Sequence, residues 1–275
     1  MRPVLKFFLL TYAVTWPCFI VAVAISHGTT SDIPAFRIAR GFLLLLGTFA
    51  PSLVALWLTL RAEGGKGVSV LFRRIFEWRV AVRWYLFAIV YMVVIKLAVA
   101  LTHRAITGTW PTFGHELPGV IVIAIMISTP AQAGEEIGWR GYALPRLAAH
   151  WGFGGASVVV GLFWACWHLP LFFLPGADKY GQSFPLFLLG TTALSVAIAW
   201  LYVHTNGSLL LTMLMHSAVN QTIGIIPDAL ANATNPFALR GSPEFLLTVT
   251  FLCITAAYFL VRMPKAELLR IRGGD

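Results

Sequence analysis

Hydrophobic positions in this chain come as long continuous runs, separated by short polar connections. Runs of roughly 18 or more apolar residues are the length a bilayer-crossing helix needs. Eight such runs are present, at approximately 4–26, 41–60, 84–103, 118–136, 155–174, 184–203, 207–227 and 244–261. The pattern predicts an all-α polytopic membrane protein with about eight transmembrane helices. No linker, low-complexity tract or clear internal repeat divides them, so residues 1–275 read as a single transmembrane domain.

Composition agrees with the pattern. Of 275 residues 58% are hydrophobic and only 11% charged, whereas a soluble domain is normally about one-quarter charged. Arg2, Lys6, an apolar run and "AVA" at 22–24 imitate a secretory signal. The run is longer than a signal core, which favours a retained first helix. Cys18, Cys166 and Cys253 lie inside predicted spans and have no metal-type spacing, so they read as free thiols. Cys166 and His168 point about 200° apart on a helix and cannot share a ligand face.

The net charge of +9 does not indicate nucleic acid, because the basic residues concentrate in particular connections. Arg61, Lys66, Arg73, Arg74, Arg79 and Arg83 lie between the second and third runs, and Arg262, Lys265, Arg270 and Arg272 at the C-terminus. The positive-inside bias makes both segments cytoplasmic, and an even number of spans adds the N-terminus. This predicts an integral protein of the plasma (inner) membrane with both termini in the cytoplasm. Segment 66–83 mixes Arg with Leu, Phe and Trp and suits the inner leaflet surface, where Arg meets anionic headgroups.

The chemistry lies in the exceptions. Nine of the 11 acidic residues are in loops, span edges or tails; the others are Glu135 and Glu136, in "AGEEIGWRGYALPRL" (133–147). Of seven histidines, only His168 and His216 fall well inside a span. An ionisable group in a bilayer costs several kcal/mol and is by default a functional hypothesis. Glu136 and Arg140 are spaced i,i+4, acid before base, which forms a good ion pair. Glu135, about 100° round the helix, is then the carboxylate left to work. His216 and Asn220 share a face at i,i+4, and Trp164 can pack against His168 at the same spacing. Lys96, in the third run, reads as a snorkelling side chain or a helix–helix bond.

A carboxylate, two imidazoles and a carboxamide suit amide hydrolysis. A glutamate can take a proton from water with help from a histidine, and a second histidine and an asparagine can donate to the developing oxyanion. Each motif alone has a plain structural reading: an ion pair at a membrane edge, a histidine bonding two helices, a polar helix face. Together they are the main polar exceptions in eight spans, and three independent accidents are a poorer account.

Glu135-Glu136-x-x-x-Arg140, an aromatic-x-x-x-His ending at His168, and His216-x-x-x-Asn220 resemble the motifs of the CPBP family. This is the type II CAAX prenyl endopeptidase and bacteriocin-processing group, also called the abortive-infection family. "GWRGYALPRL", "WHLPLF" and "NGSLLLTMLMHSAVN" are similar to it as well, so the resemblance covers roughly 120–222. It departs at Trp164, where the family usually has Phe, an exchange of one aromatic for another that should leave the chemistry alone. It departs again at His204, where the family often has a basic residue.

The resemblance implies an intramembrane endopeptidase with a pocket open to the cytoplasm and a peptide or protein substrate, prenylated in the CAAX-type case. It casts Glu135 as general base with His168 activating the water, His216 and Asn220 as the oxyanion hole, and Glu136 and Arg140 as support. No cofactor is expected. HExxH, the clearest zinc signature, is absent, and zinc held by Glu135, His168 and His216 is the alternative. The competing functions are a proton-coupled transporter and a non-catalytic immunity or scaffold protein. One conflict stands at this stage. If the fourth span ends at 136 and the fifth begins at 155, His168 lies roughly 20 Å from the level of Glu135.

Overall fold

The computed structural model describes residues 1–27, 33–227 and 235–264. Lys265, Arg270 and Arg272, invoked above for orientation, lie outside them. The described residues are helical: α1 Arg2–His27, α2 Pro34–Ile75, α3 Val82–Thr107, α4 Pro118–Ser128, α5 Ala133–Glu136, α6 Leu144–Trp167, α7 Phe184–His204, α8 Leu209–Thr222 and α9 Pro243–Arg262. Six stretches are long and apolar enough to cross a membrane: Arg2–His27, Pro34–Ile75, Val82–Thr107, Pro118–Phe173, Phe184–His204 and Pro243–Arg262. α8, with 14 residues, is shorter than these.

The stretch from Pro118 holds the main correction to the expected boundaries. Helix does not stop at 136. It runs on through a 3-10 turn (Thr129–Gln132), α5, a π-helical segment (Ile137–Ala143) and the first turns of α6. Two prolines bracket the rewound part, Pro130 and Pro145, and each deletes one i→i−4 bond of an α-helical ladder. Both glutamates and Arg140 lie between them, in the kind of π-helical insertion that often marks functional positions.

The run ends at Gly152, whose backbone takes φ 67°, ψ 169°, a left-handed φ that glycine adopts without strain. Beyond it the second arm of α6 returns alongside the first. Trp164 bonds Glu135, and Trp139 meets Trp167 edge-on at 6.1 Å. Glu135 is 17 residues before this turn and His168 is 16 after it, both about 25 Å along their arms at 1.5 Å per residue. They are level. The conflict came from ending the fourth span too early.

Residues 134–144 are all buried, so this segment is the axis of the bundle. Phe7 of α1 covers Trp139 (5.5 Å) and Tyr142 (5.2 Å). α2 packs against it through Ser52, whose hydroxyl donates to the Ala133 carbonyl at 2.5 Å. A Cβ on Gly138 would stand 2.7 Å from the Pro51 carbonyl. Gly134 and Gly138 thus form a small-residue face that lets the helices approach closely.

Polar contacts show which ends of the helices meet. At one end the Met1 ammonium donates to His150 Nε2 (3.3 Å), Arg146 pairs with Glu63, and Arg74 Nη1 donates to Tyr202 Oη (2.5 Å). α2 bends there at Gly64 (φ 66°), and Phe76 and Trp78 are left exposed, with Arg79 over the Trp78 ring. At the other end His27 meets the Phe173 carbonyl (3.0 Å), and His103 meets Glu244 (3.3 Å). Lys96 is fully buried and donates to the Ile226 carbonyl (3.1 Å) and Thr248 Oγ1 (3.4 Å), a bond between helices. The three cysteines are free.

Candidate active site

Glu136 is wholly buried, and its Oε1 accepts from two cations or potential cations: Arg140 Nη1 at 2.6 Å and His216 Nδ1 at 2.9 Å. The second contact joins the central segment to α8 and lies outside what spacing along one helix can indicate. It also restricts His216. Nδ1 must carry its proton to bond a carboxylate, so Nε2, the nitrogen left for the cavity, donates only when the ring is doubly protonated. Arg140 lies with Cζ 4.2 Å from the centre of the Trp164 ring. Its Nε and Nη2, with Glu136 Oε2, have no hydrogen-bond partner among the described residues. The charges in this cluster are therefore held by one another and by an aromatic face.

Glu135 is used differently. Its Oε2 accepts from the indole Nε1 of Trp164 at 2.6 Å, and no hydrogen bond holds its Oε1 among the described residues. A phenyl ring could not make this bond, so the expectation that Trp164 merely replaces one aromatic with another needs correcting. Trp164 also meets the His216 ring edge-on at 5.2 Å and tilts over His168 at 5.9 Å. Trp164 thus touches Glu135, Arg140, His168 and His216. His168 ends the second arm of α6, just before Pro170. Its Nδ1 donates to the Trp164 carbonyl at 2.8 Å, which leaves Nε2 a free lone pair.

Glu135, Trp164, His168, His216 and Asn220 line one cavity of about 240 Å³. Asn220 is exposed at its edge with no protein hydrogen bond among the described residues. Glu136 and Arg140 do not reach the cavity. Its remaining wall comes from α3, α7 and α9, through residues such as Met92, Leu194 and Leu252, and from Asp178, Lys179 and Gln182 in the connection before α7. No residue of that connection stands out in the sequence. Asp178, Lys179 and Gln182 lie at the end of the bundle where α7 and α9 begin, opposite Met1 and the Arg-rich connection.

The two imidazoles have the second-neighbour arrangement common in metal ligands, each with Nδ1 bonded to a carboxylate or carbonyl. Yet among the described residues no group of three or more His, Cys, Asp or Glu side chains converges to hold a metal ion.

The fold and site define a polytopic membrane protein with a carboxylate–imidazole centre buried among its helices. Residues 115–222 match the family model described as type II CAAX prenyl endopeptidase Rce1-like. The chain is also similar to CAAX prenyl protease 2 of Methanococcus maripaludis, 23% identical over 230 residues, which cover 78% of this chain and 81% of the relative. Together these matches support membership of the CPBP, or type II CAAX prenyl endopeptidase, family.

Proposed function

We propose that the protein is an intramembrane endopeptidase that hydrolyses a peptide bond near the C-terminus of a membrane-associated, CAAX-type substrate. The observation that carries this reading is the convergence of Glu135, His168, His216 and Asn220 on one cavity. Glu135 Oε1 takes a proton from water while Oε2 stays on Trp164, which fixes the carboxylate's orientation. The Nε2 lone pair of His168 accepts a hydrogen bond from the same water and aims it. The water oxygen attacks the peptide carbonyl, and the proton on Glu135 then passes to the leaving amine. Asn220 donates to the oxyanion from its carboxamide. His216, held through Nδ1 by Glu136, lines the same cavity.

The test compares membrane peptides by mass spectrometry from cells carrying the wild type and Glu135→Ala. A substrate that accumulates uncut only in the variant, and is cut by purified wild-type protein, supports the reading. No difference between the two cells would favour an immunity or scaffold protein. Exhaustive chelation of the purified protein, with elemental analysis, separates the mechanisms. Activity lost with stoichiometric zinc and restored by zinc alone overturns the metal-free scheme.

The basic end of the bundle suggests cytoplasmic termini, and the cavity would then face the opposite side. A cytoplasmic cavity would suit prenylated proteins made in the cytosol; the reverse orientation would suit a peptide presented from outside. A C-terminal reporter fusion, together with thiol labelling of Tyr180→Cys, an exposed position next to the cavity-lining Lys179, decides between them.

A further inference from the structure

Among the described residues, Lys179 is the only Lys or Arg lining the cavity. It does not stand on a loose loop. Backbone bonds from Ala177 to Leu174, Tyr180 to Ala177 and Gln182 to Lys179 fold 174–182 into consecutive turns. Buried Gln182 donates to the Asp178 carbonyl at 2.5 Å. The Lys179 side chain is 12% exposed, and its only ion-pair partner among the described residues is the neighbouring Asp178, at 2.6 Å, whose side chain is 74% exposed. A pair with one such solvated member is worth little, so the ammonium can exchange it for another carboxylate.

Phe187 relates this ammonium to the reaction centre. Its ring centre is 5.3 Å from that of His168 and 5.2 Å from Lys179 Nζ. Ammonium and imidazole are therefore at most about 10.5 Å apart, the reach of about three extended residues at 3.3–3.6 Å each. We propose that Lys179 binds the free α-carboxylate of the substrate's C-terminus and so limits how far from the chain end the cut can fall. Phe187 forms the floor between the two points, and Asp178 holds the ammonium in place until the substrate arrives. This rests on the endopeptidase reading and adds the residue that measures the distance.

The test uses a fluorescein-labelled peptide with an S-farnesyl cysteine followed by three residues, made as the free acid and as the C-terminal amide. Binding is measured by anisotropy on purified full-length Glu135→Gln protein, with and without Lys179→Met, and cleavage of both peptides by wild type is followed separately. One charge-assisted contact in a half-buried site predicts roughly 10–100-fold tighter binding of the acid. Lys179→Met should abolish that preference with amide binding unchanged, Lys179→Arg should keep it, and Lys179→Glu should reverse it. Equal binding of acid and amide, or a preference that survives Lys179→Met, overturns the proposal. If the acid preference depends on Lys179 but wild type cuts neither peptide, the carboxylate site stands and the endopeptidase reading fails.

Discussion

Glu135 and Glu136 are consecutive residues of one buried segment, yet they belong to different parts of the molecule. Around Glu136 everything is closed: Arg140 and His216 share one of its oxygens, and the Trp164 face covers the arginine. Around Glu135 the packing opens, with one oxygen on Trp164 and a cavity before it that extends to Lys179. Burial alone therefore does not mark a catalytic carboxylate. What distinguishes the two is whether a fixed cation already satisfies the charge.

The sharpest way to break this comparison is Glu135→Gln, which keeps volume and the Trp164 contact but removes the base. Turnover of a cleavable membrane peptide should fall about 10⁴-fold, the upper range for a general base, with an unchanged thermal midpoint. Activity within tenfold of wild type would move the base elsewhere.

Arg140→Ala tests the other half. It leaves Glu136 buried without its arginine, and breaking such a pair costs about 3–5 kcal/mol. The expected result is a large loss of folded yield and thermal midpoint. A variant that folds normally and only loses turnover would place Arg140 in the reaction.

Asn220→Ala lies on the open side and should fold well, losing about 10²–10³ in rate, as for one oxyanion donor. A smaller drop, with the loss in KM instead of kcat, would make Asn220 a substrate contact. Trp164→Phe removes the indole N–H and shrinks the ring that covers Arg140, and should cost at least about tenfold in kcat, the low end for a hydrogen bond to a charged group. An unaltered kcat would mean that the bond to Glu135 orients nothing that matters.

The apolar runs were legible because a bilayer demands them, and most coincide with helices long enough to span one, although the seventh holds a helix of only 14 residues. The end of the fourth was not. Glu135, Glu136 and Arg140 look like the polar edge of a span, but the latter two neutralise each other inside it, so the helix passes straight through. The candidate site residues stood out as in-span polar groups for the same energetic reason. Their partnerships did not: the Glu136–His216 and Glu135–Trp164 bonds join different helices, and i,i+4 spacing is blind to them. Lys179 and Asp178 carried no signal, since charges in a connection are ordinary.

The turn at Gly152 has a consequence for how this chain can vary. Its two arms act as paired rulers, with Glu135 and His168 at matching counts from the fold-back. One residue inserted in either arm would slide its site residue by 1.5 Å and rotate it by 100°, out of the cavity. The interval from 135 to 168 thus tolerates substitution far better than a change of length.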